Sequence, residues 1–416
     1  MNILISAYSI NPKSGSEPGV AWSFVRELVQ EHTLFVVTRA KNKPALEEAL
    51  AANDYGGRLH CYYFDVPVFC KLYKTASVSE HLYYFLWQIG LLLGARKIFR
   101  RHPIDLVHHV TLGAFRIPSL LVFYNKPFIF WPVGGGENYP FAIKKAFPAR
   151  FVCMELFRDL VNRLFVLNPL LLYTFSRSTL IVCRTRQTLE LIPRRFHHKC
   201  IIEIGICSKE NAAGPAPAEV RPTGTPLLLL YAGRPLYWKG LHLAIGAYAQ
   251  LCRQYPDIKF TVIGAGDNAW ARREAEKHGV RDRIEWLGRV DNRRLEQLYR
   301  TSDLLTFPSL REAGGAVAVE ALSYALPVLC LDLGGPCQIV NRNWGVVVET
   351  RGKTQTDLMG DIAGQIAGLY GAREKLQRMR ENCPQEAARY GMTQIVERIY
   401  GNRRVTAALE NKRKYA

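Results

Sequence analysis

The chain has 416 residues and a formal net charge of +19, from 55 basic against 36 acidic side chains. Its 48% hydrophobic content and ordinary glycine and proline counts exclude a disordered or low-complexity chain, and its length accommodates two domains with substantial cores. The charge excess attracts phosphates, whether on nucleic acid, an anionic membrane or a nucleotide substrate.

The opening MNILISAY lacks the basic n-region of a signal peptide and reads as a buried strand, Asn2 to Tyr8. A polar loop, NPKSGSEPG, leads into a helix from about Val20 to Glu31. Strands follow at Thr33 to Thr38, Asp105 to His109 and Phe128 to Pro132, the last running straight into Gly134-Gly135-Gly136. Leu180 to Cys183 and Cys200 to Glu203 complete this half. The apolar run from Leu82 to Ala95 is interrupted by Gln88, Gly90 and Gly94 and falls short of the ~20 residues of a bilayer span. From Cys207 to Pro226 the chain turns to Ala, Gly, Pro and Thr, a linker composition. A second series then reads Leu227 to Tyr231, Lys259 to Ile263, Arg283 to Leu287, Leu304 to Thr306 and Pro327 to Leu331, with amphipathic helices after about Asp357. Strands alternating with helices predict an α/β fold with parallel sheets, whose ligands lie beyond the carboxyl ends of the strands. The predicted domains are residues 1–206, a linker 207–226, residues 227–384 and a helical, basic C-terminal segment 385–416. Ten cysteines, with no Cys-x-x-Cys pair and no Cys/His spacing suited to zinc, read as buried free thiols in a reducing cytosol.

The richest stretch is Pro308 to Pro336, PSLREAGGAVAVEALSYALPVLCLDLGGP. It reads as strand end, glycine turn, short helix, buried strand and second glycine turn. Glu312 falls in the first turn, and Glu320, eight positions on, in the helix. Gly314 and Gly315 let backbone approach a ligand closely, and a helix from about Ala316 offers unpaired N–H groups to an anion. A diphosphate at that helix start, with hydroxyl-rich groups on either side, satisfies these parts together and outlines a nucleotide-sugar site. Arg234 and Lys239 flank a tight strand-to-helix connection ending near Gly240, where two fixed cations stabilise the charge developing on a leaving diphosphate. Two solvated loop cations are the plainer alternative.

Other candidates sit at strand ends. Gly15, in the first strand-to-helix loop, permits close backbone approach, with Ser14, Ser16 and Glu17 toward an acceptor; an ordinary flexible loop is the alternative. His109 ends a strand and can bond a sugar hydroxyl, whereas His108 points to the opposite face. Gly134 to Glu137 repeats the strand-end glycine pattern: Gly135 and Gly136 suit a loop needing positive φ, and Glu137 is either an acceptor-side base or a loop-stabilising carboxylate. Gly264 and Gly266 form a lone GxG turn, with Arg289 and Val290 ending the next strand.

The Pro308–Pro336 stretch resembles the E-x7-E region of retaining glycosyltransferase family 4. The resemblance also covers the opening segment, WPVGGGE, the GRPLYWKG turn and the VIGAGD turn, in the family's order along nearly the whole chain. One departure is Glu312-Ala313-Gly314-Gly315, where the family more often reads E-G-F-G; Gly315 matches, while Ala313 and Gly314 reshape the pocket around the donor sugar. The resemblance implies a GT-B fold, two Rossmann-like domains facing an interdomain cleft, with the segment from about Gln385 crossing back to the first domain. It implies transfer of a sugar from a nucleoside diphosphate, UDP foremost, with retention of configuration and without a metal or other cofactor. Arg234 and Lys239 then hold the diphosphate, Glu320 the ribose, and Glu312 and His109 the transferred sugar, with Gly264, Gly266, Arg289 and Val290 lining the donor site. A saccharide or lipid-linked acceptor in polysaccharide or lipopolysaccharide synthesis is the corresponding expectation.

Two stretches carry basic and apolar residues together: His81 to Arg101, with Tyr83, Tyr84, Phe85 and Trp87, and Phe141 to Lys199, with eleven basic and three acidic residues. They suggest a cytoplasmic enzyme held peripherally on an anionic membrane; core packing with a solvated basic face is the alternative. A nucleotide-sugar epimerase, a phosphorylase and a nucleic-acid binder are the competing functions. No lysine stands out as a pyridoxal site, and the ordered glycine loops are not explained by nucleic-acid binding.

Overall fold

The computed structural model describes residues 1–66, 80–207 and 225–414, so most of the expected linker 207–226 lies outside the described residues. Two compact units emerge. One comprises Met1–Gly136, Leu160–Gly205 and the chain from Met392; the other comprises Glu137–Asp159 and Ile206–Gly391. Residues 137–159, grouped with the first domain by sequence, therefore cluster with the second unit, and the C-terminal segment joins the first unit from Met392.

The first unit is built on a seven-stranded parallel sheet of β1 (Asn2–Ala7), β2 (Thr33–Thr38), β3 (Leu59–Tyr63), β4 (Leu106–Thr111), β5 (Phe128–Val133), β6 (Leu180–Cys183) and β7 (Cys200–Ile202). The order is β3-β2-β1-β4-β5-β6-β7. Strands such as ILISA and FIFWPV are apolar on both faces because helices cover both sides of such a sheet. The strand order reverses between β1 and β4, the switch point at which doubly wound sheets bind ligands. The Met392–Tyr400 helix packs on the Ser16–Leu28 helix. His108 Nδ1 lies 2.9 Å from the Tyr400 hydroxyl, and Arg398 Nε donates to Glu203 Oε2 at 2.5 Å.

The second unit repeats the plan with β8 (Leu228–Ala232), β9 (Lys259–Ile263), β10 (Ile284–Leu287), β11 (Leu304–Phe307), β12 (Val328–Leu331) and β13 (Gly345–Val348), ordered β10-β9-β8-β11-β12-β13. All pairs are parallel, and the switch point lies between β8 and β11. The Leu241–Gln254 helix is buried almost all round, pressed between the sheet and the Gln355–Gly371 helix. Tyr139 and Ile143 belong to this unit's core, which is why their segment clusters here. Each unit is thus a Rossmann-like α/β layer of the GT-B class, as the α/β reading expected.

Several local expectations change. The first helix begins at Ser16 rather than Val20, because Pro18 sits in the first turn, where its missing N–H costs nothing. Two strands escape the sequence reading: β3, LHCYY, mixes polar and apolar residues, and β13, GVVV, is apolar but only four residues long. β4 continues to Thr111, so His109 lies inside the strand. In the Glu80–Arg101 helix, Tyr83, Tyr84 and Trp87 are core residues and Phe85 is half-buried against the same core. Among the described residues no helix is long and apolar enough to cross a membrane.

Candidate active site

In the second unit the carboxyl ends of three strands meet through glycines. Gly264, after β9, has φ +91°, and a Cβ there would stand 2.6 Å from the Gly233 carbonyl oxygen. Gly266 donates its N–H to the Leu287 carbonyl at 3.0 Å, and a Cβ on it would lie 3.2 Å from Gly288 Cα. The result is a bare backbone edge. Arg234 follows Gly233 at the rim, exposed and with no ion-pair partner among the described residues. Arg289 is likewise exposed beyond β10, beside half-buried Val290.

The connection after β8 is strapped to the one after β11. Gly240 caps the Leu241–Gln254 helix at φ +72°, and a Cβ there would fall 1.8 Å from the Pro308 carbonyl oxygen, so only glycine fits. The Trp238 carbonyl accepts the N–H groups of Leu310 at 2.9 Å and Arg311 at 3.3 Å. These bonds bring Lys239, in the short turn Tyr237–Lys239, against Glu312. Lys239 Nζ donates to Glu312 Oε2, with the two side chains 17% and 19% exposed. Burial in the first place, with the Glu312 charge adding, holds the neighbouring Tyr231 phenol neutral far above its usual range.

The Glu312 turn is itself fixed from below. Gly335 donates to the Glu312 carbonyl at 2.7 Å, and a Cβ on Gly334 or Gly335 would collide with the Glu312 or Ala313 backbone. Buried Gly314 packs on Ile206, and Gly315, at φ +85°, starts the Ala316–Ser323 helix, which no side chain caps. Its first N–H groups are therefore open to an anion. Glu320, on the same helix, accepts from the Tyr299 hydroxyl at 3.3 Å. Lys239, Glu312, Gly314, Gly315 and Ala316 thus come together at the switch point, flanked by the glycine edge.

Sequence reasoning missed the support of this site. Glu155, only 2% exposed, accepts from the Tyr237 hydroxyl and from Arg311, both at 2.7 Å on Oε1, and from Arg158 Nε at 3.2 Å on Oε2. Arg311 also stacks on Trp238, its guanidinium carbon 4.5 Å from the ring centroid. Burial, reinforced by Glu155, pushes the Tyr237 phenol up to about 12, so it remains a donor. A lone glutamate on a helix 82 positions from Tyr237 gives no local signal.

In the first unit, Gly15 caps the first helix with extended backbone and open space around it, so nothing there requires glycine. Ser16 opens that helix; its side chain lies outside the described residues. Glu17 is engaged, accepting from the Gly113 N–H at 2.8 Å. His109 is buried: its Nε2 lies 3.2 Å from both the Tyr84 hydroxyl and the Leu112 carbonyl, and burial lowers its pKa to about 4. It is a buried, neutral side chain here, whereas His108 faces the opposite side toward Tyr400. Gly135 has φ +97°, and Gly136 packs on Thr188 and Leu191, its N–H bonding Thr188 Oγ1 at 3.2 Å. Glu137, in the second unit, is buried, and its carbonyl accepts from Arg158 at 2.8 Å.

Residues 216–386 match the family model described as glycosyl transferases group 1. The glycogen synthase of Mycobacterium tuberculosis is 33% identical over 151 residues, which is 36% of this chain and 34% of that enzyme. The alignment thus spans about a third of that relative. A glycosyltransferase from Rickettsia africae superposes with a TM-score of 0.62 at 14% identity, covering 99% of each chain. HepE from Anabaena, solved in complex with UDP and glucose, gives 0.59 at 16%, covering 96% of this chain and 98% of that one. At such identities the structural likeness speaks for the fold.

Proposed function

We propose that this chain is a glycosyltransferase that moves a sugar from a nucleoside diphosphate, UDP foremost, to an acceptor hydroxyl. The observation that carries this reading is the meeting of Lys239 and Glu312 at the β8/β11 switch point, beside an uncapped helix start. The match of residues 216–386 to group 1 glycosyl transferases supports it, because that range contains every one of these residues.

In this reading the diphosphate lies between Arg234, Lys239 and the amides at Ala316, which stabilise its charge as the bond to the sugar breaks. Lys239 exchanges its Glu312 contact for phosphate oxygens, which frees Glu312 to accept from hydroxyls of the transferred sugar. Glu320 accepts from the ribose hydroxyls, and the bare backbone at Gly264, Gly266 and Gly288 admits the rest of the donor. The acceptor hydroxyl attacks the anomeric carbon on the face the diphosphate leaves. Its proton passes to the departing phosphate oxygen, so configuration is retained and the cationic side chains take the role a metal would have. Buried His109 shapes the Leu112 loop from within. The acceptor is a saccharide or lipid-linked sugar of the kind used in cell-surface polysaccharide.

The test is incubation with UDP-sugars with and without a panel of saccharide acceptors. Released UDP that depends on acceptor, with a new glycosidic bond of the donor's anomeric form, supports transfer. Conversion of the donor to an isomeric UDP-sugar without acceptor would establish the epimerase instead.

A further inference from the structure

The Ala149–Phe165 helix is turned inside out. Its inward side is polar: Glu155 meets Tyr237 and Arg311, Asp159 meets Lys144 and Arg158, and Asn162 donates to the Gly135 carbonyl at 3.4 Å. Its outward side is apolar, with Phe157, Leu160 and Leu164 at 68%, 54% and 56% exposure and spacings of three and four residues, one continuous stripe. Leu167, 69% exposed, prolongs the stripe into the turn that follows. Of the fourteen large hydrophobics left exposed among the described residues, nine fall between Phe141 and Leu170. A soluble surface scatters such residues singly rather than lining them up.

We infer that this outward face docks on an anionic lipid bilayer, the helix lying in the plane of the surface. Charge argues for that occupant. Exposed Arg150 and Arg163 lie on the same helix, and the next helix, Pro169–Arg177, ends at a wide-open surface cavity. That cavity is lined by Lys126, Arg177, Lys199, Arg403 and Arg404 with no carboxylate among its lining residues. Lys199 is held below the usual lysine range, by burial first and then by Arg404 and Arg177, so these three repel one another and a counter-charge would relieve them. Phosphoryl headgroups supply that counter-charge while the stripe enters the acyl boundary. A second copy of the chain is a poorer match. Stripe against stripe would press two molecules of charge +19 together, with Arg150 and Arg163 on each side. The inference stands apart from the transfer reaction.

Flotation of the full chain with phosphatidylcholine vesicles, with and without phosphatidylglycerol, tests it. The expected result is flotation that requires phosphatidylglycerol and weakens with salt. The double variant Leu160→Glu, Leu164→Glu should lower the partition coefficient at least about tenfold, with an unchanged melting profile and unchanged UDP binding. Arg403→Glu with Arg404→Glu should weaken flotation in the same direction. Failure to float at low salt overturns the proposal, as does flotation indifferent to Leu160→Glu, Leu164→Glu. A wild-type dimer by light scattering that this variant splits into monomers assigns the face to self-association and equally overturns it.

Discussion

Lys239 and Glu312, 73 positions apart, form an ion pair between the turns that follow two adjacent strands, β8 and β11. Neither side chain is fully exposed, and the strap from the Trp238 carbonyl to the Leu310 and Arg311 amides fixes their approach. Removal of either partner should cost transfer rather than the fold. Lys239→Ala should lower kcat/KM by about 100-fold to 1,000-fold, in the range of losing one donor to a developing anion. Glu312→Gln should lower it as well, and the double variant should lose less than the product of the singles, because the two act on one donor molecule. Steady-state kinetics with circular-dichroism melts on all three checks this.

The buried Glu155 holds Tyr237 and Arg311, which flank Lys239 and Glu312 in sequence. Glu155→Gln leaves Arg311 without its carboxylate and Arg158 with Asp159 alone, and should destabilise the protein by about 2–4 kcal/mol. Donor KM should rise with it. The exposed pair Glu374–Arg378 is the control: Glu374→Gln should cost under about 0.5 kcal/mol and leave KM alone. Urea denaturation and donor titration of both variants distinguish a positioning role from a general loss of stability.

Gly240 has no substitute. Its positive φ and the 1.8 Å separation between an added Cβ and the Pro308 oxygen mean that Gly240→Ala must push the two straps apart. A loss of about 2 kcal/mol or more is expected. Gly15→Ala, in open space with extended backbone, should be neutral within about 0.5 kcal/mol. Thermal melts of the pair decide.

Acid should destabilise the fold through buried histidines. Burial lowers His109 to about 4 and His242 to about 3, from 6.5, and lowers His108 as well. Between those values and 6.5 the unfolded chain binds the protons that the folded chain refuses. Stability is therefore complete above about pH 6.5 and falls as pH drops, by up to about 1.4 kcal/mol per pH unit for each histidine. His242 has no hydrogen-bond partner among the described residues and packs on Phe147 and Trp270. His242→Phe should thus reduce the slope at pH 5 by about one proton, measured by denaturant titration across pH.

Much of this was legible in the chain. Glu312, Gly315 and the helix after them carry a local pattern, and the apolar runs of β8, β9 and β12 are unmistakable buried strands. The rest depended on contacts distant in sequence. Glu155 reaches Arg311 across 156 positions, and Glu17 is taken by Gly113 across 96. His109 looked like a strand-end ligand because nothing local indicates that β4 runs two residues further and that Tyr84 covers it. The inside-out helix left only a mixed basic and apolar composition, since its period does not reveal which side faces inward.

The most direct test is calorimetric titration of UDP into the wild type and into Arg234→Ala, Lys239→Ala. Arg234 has no ion pair among the described residues, and the Lys239–Glu312 pair is partly exposed, so the variant should keep its fold, which a thermal melt checks. The account predicts one saturable site in the wild type and at least about a 100-fold weaker one, some 2.7 kcal/mol, in the variant. Equal affinity in the two proteins, or no binding of any nucleoside diphosphate to the wild type, would contradict a diphosphate site at the β8/β11 switch point.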